Sequence, residues 1–292
     1  MLKWLVMLAS IEYSKSFSVN NLVRGVFRGL SSARGVEWPD LQSSHPLKTM
    51  DESRYYDKTV KFPEYYLKDF HAYDGGNLNP IAAKEIFSAS ESIFMHHYKN
   101  KSGKETGNFV RLEFSSFIVE YLTKFNINDN NFIIDFGCGA GVSTSFIKRA
   151  FGKESSVLGL DLSPYFLHET ENCSKKFFLH RDIGDTRLMN SFVDVVTISY
   201  VLHELPLLEI QNVLKEAFRI LKPGGVLAVL DMNPGIKGSS KLLQMIFDIT
   251  EPYLNEYKVF SNDKFNYIKK AGFKDIHLNE KVPKTSMFIC HK

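Results

Sequence analysis

Residues 133–144 read Ile-Ile-Asp-Phe-Gly-Cys-Gly-Ala-Gly-Val-Ser-Thr: a short apolar run, an acid, and three glycines at alternate positions before a Ser-Thr pair. That order predicts a strand, a tight loop and the first turn of a helix. Glycine removes the Cβ, so backbone N–H groups at Gly137, Gly139 and Gly141 can approach a bound group closely. Chains built this way hold nucleotide-like ligands at the carboxyl end of the strand. A dinucleotide fingerprint needs G-x-G-x-x-G. Counted from Gly137 its last position falls on Val142, and counted from Gly139 on Thr144, so neither frame fits.

The chain after this loop alternates. Apolar runs at 157–161, 177–179, 193–200 and 226–232 predict strands, with the third running on to Asp182. Helical spacing covers 111–125, 142–151, a stretch opening at Pro164, and 208–221, which stops at Lys222-Pro223-Gly224-Gly225. Such alternation gives right-handed parallel βαβ units and an α/β fold with a doubly wound sheet. Near the end, 263–271 reads as helix, and 274–279 and 285–291 as strands joined around Pro283. That hairpin makes one strand antiparallel at the sheet edge, in a mostly parallel sheet of seven strands.

Two segments precede this domain, which spans 109–292. Residues 1–37 carry Lys3, Lys15, Arg24, Arg28 and Arg34 against Glu12 and Glu37, with Leu22, Val23, Val26, Phe27 and Leu30 at helical spacing. A basic, amphipathic, acid-poor start has the character of an organelle presequence, for a plastid or mitochondrion. A secretory signal with a short apolar core at 4–9, or an ordinary disordered or membrane-touching tail on a cytoplasmic protein, are the other readings. We exclude this segment from the expected fold. Residues 40–108 are crowded with aromatic side chains, including Tyr55, Tyr65, Tyr66, Phe70 and Tyr73, and punctuated by Pro63, Gly75-Gly76 and Pro80. They predict short helices and loops, with a helix over 81–98, forming a cap whose rings either line a pocket or pack on the main domain.

Composition closes off other classes. A net charge of +3 over 292 residues is too small to imply nucleic acid or an anionic surface by itself. Cys138, Cys173 and Cys290 form no C-x-x-C pair, so neither a disulfide framework nor a metal site is expected, and a reducing compartment is the simpler reading. No apolar run approaches the roughly 20 residues that span a bilayer.

Candidate site residues fall at the predicted strand tips. Asp161, at the end of the second strand, can accept both hydroxyl hydrogen bonds of a ribose, or else cap the helix at Pro164. Asp182 can accept from an exocyclic adenine amine while Ile183 packs on the ring; Asp185 is its rival, with a helix cap as the alternative role. Cys138, Leu162, Ser199 and Tyr200 complete the candidate cofactor wall with Asp135. His203 and Glu204 lie just past the fourth strand, where an imidazole has a suitable intrinsic pKa for a base; capping the following helix is the plainer role. His71, with Asp74, is a second candidate from the cap. His96-His97 reads as a pair on a helix surface.

Asp135, Gly137, Gly139, Gly141, Asp161, Asp182, Val201-Leu202-His203-Glu204-Leu205 and Leu221-Lys222-Pro223-Gly224-Gly225 together resemble the class I S-adenosylmethionine (SAM) methyltransferases. The resemblance is to their type 11 small-molecule branch, which includes the ubiquinone and menaquinone ring C-methyltransferases. Tyr66, Phe70-His71, Gly75-Gly76-Asn77-Leu78, His203-Glu204-Leu205-Pro206, Glu251-Pro252-Tyr253 and Tyr257 extend it to plastid-type and cyanobacterial-type members, over about residues 60–292. Ser191-Phe192-Val193-Asp194 departs from the family's usual Ser-Phe-Asp by one residue. The resemblance implies a Rossmann-like fold, SAM as cofactor, and in-line methyl transfer to a small-molecule acceptor at oxygen or carbon. A flat, lipophilic acceptor such as a quinol or phenol would suit the aromatic cap. Enzymes that methylate nucleic-acid amino groups carry a Pro-Pro loop after the fourth strand. Ser199-Tyr200-Val201-Leu202 lacks it, so no nucleic-acid partner is expected; peripheral membrane contact stays open.

Overall fold

The computed structural model describes residues 19–41, 49–95, 101–125, 131–170, 177–234 and 250–292. His96-His97, Cys173 and the first 18 residues of the expected presequence lie outside them. Strands β1 (Phe132–Phe136), β2 (Ser156–Asp161), β3 (Phe178–His180), β4 (Val193–Ser199), β5 (Leu221–Met232), β6 (Lys274–Asn279) and β7 (Thr285–His291) form one sheet in the order β3-β2-β1-β4-β5-β7-β6. β1 to β5 are parallel, while β7 runs antiparallel to both β5 and β6. The chain leaves β1 toward β3 and returns to β4 on the other side of β1. The carboxyl ends of β1 and β4 therefore flank the crevice where ligands bind in such sheets.

Both faces of the central strands are buried, as parallel strands between helices require. In β1, Ile134 and Phe136 join the cluster under α6 (Leu207–Ile220), whereas Ile133 joins the cluster under α3 (Gly103–Lys124) and α4 (Val142–Phe151). α6 turns Ile210, Val213, Leu214, Ala217 and Ile220 inward at helical spacing. Each buried Ile or Leu there contributes about 1.5–3 kcal/mol. α5 (Pro164–Glu169), α7 (Leu254–Asn262) and α8 (Lys264–Lys270) complete the domain.

Three boundaries differ from the sequence reading, each for a local reason. α3 begins at Gly103 rather than 111 because Ser102 and Glu105 form a reciprocal capping box: Glu105 N–H donates to Ser102 Oγ (3.1 Å) and Ser102 N–H to Glu105 Oε2 (3.0 Å). The Lys222-Pro223-Gly224-Gly225 stretch is not only a helix stop. It is folded into β5 as a bulge, since the register steps from Val193↔Leu221 to Val195↔Val226, with Gly224 at φ +79°. The extra residue in 191–194 is absorbed because Ser191 and Phe192 N–H donate to the last carbonyls of α6, at Arg219 and Ile220.

The third difference is the start of the chain. Helix α1 (Val19–Ser32) packs on the cap instead of standing apart from the fold. Asn20 Nδ2 donates to Asp69 (2.9 Å) and Asp74 (2.7 Å), and Arg28 pairs with the buried Glu85 (2.6 Å). Ser31 and Val36 are buried. Cleavage near residue 37 would remove this helix. In the cap, α2 (Pro80–Phe94) starts where Asn79 Oδ1 accepts from Ile81 N–H (2.8 Å). Short 3-10 turns at Glu64–Leu67 and Gly76–Leu78 carry the aromatic segment over the crevice.

Candidate active site

The three glycines take positive φ, at +67°, +54° and +78°, but a side chain would meet different things at each. A Cβ on Gly137 would fall 2.5 Å from Val201 Cγ2, and one on Gly141 would fall 2.8 Å from the Phe178 ring. These two glycines let elements pack. A Cβ on Gly139 would meet nothing within 4 Å, and Gly139 lines the main cavity. Gly139 keeps space open for a ligand.

The acids split in the same way. Asp135 lies beneath the loop, accepting from Thr144 Oγ1 (2.6 Å) and Thr197 Oγ1 (2.8 Å); it is not among the cavity-lining residues. Burial raises it to about 6, against the pull of the two hydroxyls. Asp161 lines the cavity, where Oδ2 accepts from Gly139 N–H (2.7 Å) and Oδ1 from Ser163 N–H (2.7 Å). It thus ties β2 to the glycine loop, and burial raises it to about 6 despite those bonds. The cap of α5 is Ser163, whose Oγ accepts from Phe166 N–H (3.2 Å), so Asp161 is left for the cavity. Asp182 Oδ1 accepts from Gly184 N–H (2.8 Å), and burial raises its pKa. Asp182, Ile183, Leu162 and Cys138 share the wall with Asp161; Asp185 is not on it.

Ser199 closes β4 and Tyr200 follows at φ +58°, a conformation uncommon for a bulky residue. Its ring meets Phe94 edge-on at 5.4 Å. Arg111 of α3 also lines the cavity, with its guanidinium over Phe94 and Nη2 donating to Ser90 Oγ (3.0 Å). Burial lowers its pKa, and no carboxylate pairs with it among the described residues. The sequence reading missed Arg111; a cation next to Val110 and near Phe114 on the buried side of the helix was the available signal.

Beyond the loop, His203 Nδ1 lies 2.7 Å from Asp231 Oδ1. Glu204 Oε1 lies 3.0 Å from His71 Nε2, and its Oε2 accepts from Asn77 Nδ2 (2.9 Å). His71 Nδ1 in turn lies 2.8 Å from Glu251 Oε1. The partners of His71 are thus Glu204 and Glu251, not Asp74, which turns to Asn20 of α1. His71 (φ +52°) and Ala72 (φ +63°) form a strained turn that is held because His71 N–H donates to Thr250 O (3.1 Å). Burial opposes charge on His71, but Glu251 and Glu204 override it and carry the imidazole up to about 10. His203 is also raised, with Asp231 outweighing burial. Glu204 is held low: burial pushes it up, and His71 pulls it down further.

Asp231, Glu251 and Asn77 had no assigned role in the sequence reading. Asp231 was findable, because it ends an apolar strand as Asp161 does. His71, His203 and Glu251 offer ligand atoms within 4.8 Å of one another, so these three could also hold a metal ion.

The cradle fits an adenosylated ligand: an acid at the tip of β2, an acid and an apolar side chain after β3, and a backbone loop with room at Gly139. Fold and site together define a class I methyltransferase domain, the class that uses SAM. Residues 134–229 match the family model described as a methyltransferase domain. The chain is 28% identical to demethylmenaquinone methyltransferase of Lactococcus lactis over 166 residues, 54% of this chain and 65% of that protein. It is 26% identical to the enzyme of that name from Lactobacillus johnsonii, over 54% of this chain and 70% of that one. The chain thus spans about two thirds of the length of these relatives. In fold it resembles a crystal structure of the CurJ carbon methyltransferase (TM-score 0.54, 15% identity, covering 77% of this chain and 65% of that one). A putative O-methyltransferase from Nostoc punctiforme is comparable (TM-score 0.52, 14% identity, 73% and 59%).

Proposed function

We propose that the chain transfers a methyl group from SAM to a lipophilic small-molecule acceptor bearing an acidic O–H or C–H, such as a quinol or phenol. One observation carries this reading: His203, which Asp231 holds from behind, lines the same cavity as the Asp161 and Gly139 cradle. SAM, when bound, supplies an electrophilic methyl on a sulfonium. Asp161 would take the ribose hydroxyls, Asp182 and Ile183 the adenine, and Arg111 the carboxylate of the methionine tail. Asp231 fixes the His203 tautomer with the proton on Nδ1, which leaves Nε2 to accept a proton from the acceptor. Glu204, held by His71 and Asn77 of the cap, joins the lid to the loop that carries His203 and excludes water.

The cavity, about 1420 Å³, has room for a cofactor and a sizeable acceptor, and Tyr65, Tyr66 and Phe70 of the cap line it. The name of the bacterial relatives, demethylmenaquinone methyltransferase, favours a quinone-type acceptor. The test is incubation with methyl-labelled SAM and total lipid, protein and RNA fractions. Label in extractable lipid, lost with His203→Ala, supports the reading; label confined to protein or RNA contradicts it.

A further inference from the structure

Helix α1 is docked with its polar side inward. Asn20, Arg24, Arg28 and Ser31 share one face and turn toward the protein. Asn20 reaches Asp69 and Asp74, Arg24 lies over the Tyr73 ring at 5.1 Å, and Arg28 pairs with Glu85. Ser31 Oγ accepts from Trp38 Nε1 (3.0 Å). The opposite face carries Val19, Val26 and Leu30, which are 62%, 37% and 51% exposed. Gly25, Gly29 and Ala33 lie between them, also exposed, so the middle of this face bears no charge. A surface helix ordinarily buries its apolar stripe against the core. Here the stripe is split: Val23 and Phe27 turn to the cavity wall, with Phe27 edge-on to Trp38 at 6.3 Å, while Val19, Val26 and Leu30 look outward.

Its neighbours say what covers it. Leu30 lines the cavity, and so do Phe87 and Ile93 of α2, 45% and 37% exposed, so the apolar surface continues to the cavity wall. Arg34, Lys101 and Lys104 line the same cavity and are exposed, which makes its rim positive. The residues before α1 begin Met-Leu-Lys-Trp-Leu-Val-Met-Leu, a composition of apolar residues, Trp and Lys that suits a lipid interface.

We infer that the outward face of α1 docks on an anionic lipid bilayer and holds the cavity mouth against it. Val19, Val26 and Leu30 enter the headgroup boundary, while the basic rim meets the anionic lipid. Docking stands on the helix alone. That a lipophilic acceptor then enters from the bilayer rests on the methyl-transfer reading.

The test is flotation of the full chain with vesicles of phosphatidylcholine, alone or with about one third phosphatidylglycerol. Wild type should float with the anionic vesicles and be released by high salt. Val19→Asp with Val26→Asp should lower the partition about tenfold or more, while SAM binding and circular dichroism stay unchanged. Should that variant misfold, Val26→Ser should weaken flotation and Val26→Leu preserve it. Absent wild-type flotation, or equal flotation by Val26→Ser and Val26→Leu, overturns the docking. A wild-type dimer in gel filtration that Val26→Ser dissociates, without flotation, would give the face to a second copy instead. None of these readings uses methyl transfer, so docking and catalysis fail separately.

Discussion

Asp231 Oδ1, at the carboxyl end of β5, lies 2.7 Å from Nδ1 of His203, in the loop that leaves β4. The two strands are paired in parallel, Ser199 opposite Leu230, so sheet register delivers the acid beside the imidazole. Asp231 also accepts from the N–H groups of Met232 (2.6 Å) and His203 (3.3 Å). The carboxylate is fixed before any acceptor arrives.

His203→Ala should therefore lower kcat by about 10²–10⁴-fold while SAM affinity stays within about twofold. The imidazole must be neutral to accept a proton, and Asp231 holds its pKa above the ordinary 6.5. Activity should fall as pH drops through that raised value. Asp231→Asn should lower the plateau and move this limb to lower pH, which a pH–rate profile reads directly.

His71 clamps the cap to the core by bonding Glu204 and Glu251 with its two ring nitrogens. Its folded pKa, about 10, exceeds its unfolded value. The stabilisation is thus fully present below about 6.5 and disappears as pH rises through about 10. Wild-type Tm should fall over that window, and the fall should be smaller in His71→Gln. Parallel Tm curves for the two proteins would contradict the clamp.

The glycines should separate binding from folding. Gly137→Ala drives a Cβ toward Val201 and should destabilise by about 1–3 kcal/mol. Gly139→Ala meets no protein atom and costs about 1 kcal/mol of backbone strain, but its methyl stands in the ligand space. Its Tm should stay closer to wild type while SAM affinity falls by tenfold or more. Thermal melts with calorimetry on both variants check the split.

Chelation distinguishes two uses of the His71, His203 and Glu251 group. Both ring nitrogens of His71 are already engaged by carboxylates, so methyl transfer should survive dialysis against EDTA. Loss of activity restored by Mn²⁺ or Zn²⁺ would instead put a cation among these three side chains.

The central strands were legible because β1, β2, β4 and β5 are apolar runs, three of which carry an acid at or near their carboxyl end, and local periodicity records that directly. Asp161, Asp182 and Gly139 could be read for the same reason. The Glu204–His71–Glu251 chain could not, since it joins residues 71, 204 and 251 through tertiary contact alone. The docking of α1 was not legible for a different reason. A basic amphipathic helix has the same pattern whether it stands apart or packs through its arginines, and its contact with the buried Glu85 is made through tertiary structure alone. Ser102 as the start of α3 was visible as Ser-x-x-Glu, but it sat inside a stretch that also reads as a turn.

Titration calorimetry with S-adenosylhomocysteine tests the adenosyl cradle most directly. Wild type should bind on the order of micromolar. Asp161→Asn, which removes a ribose acceptor and one anchor of the glycine loop, should bind at least about tenfold more weakly, or ~1.4 kcal/mol. No heat with wild type, or equal affinity in Asp161→Asn, would contradict the assignment.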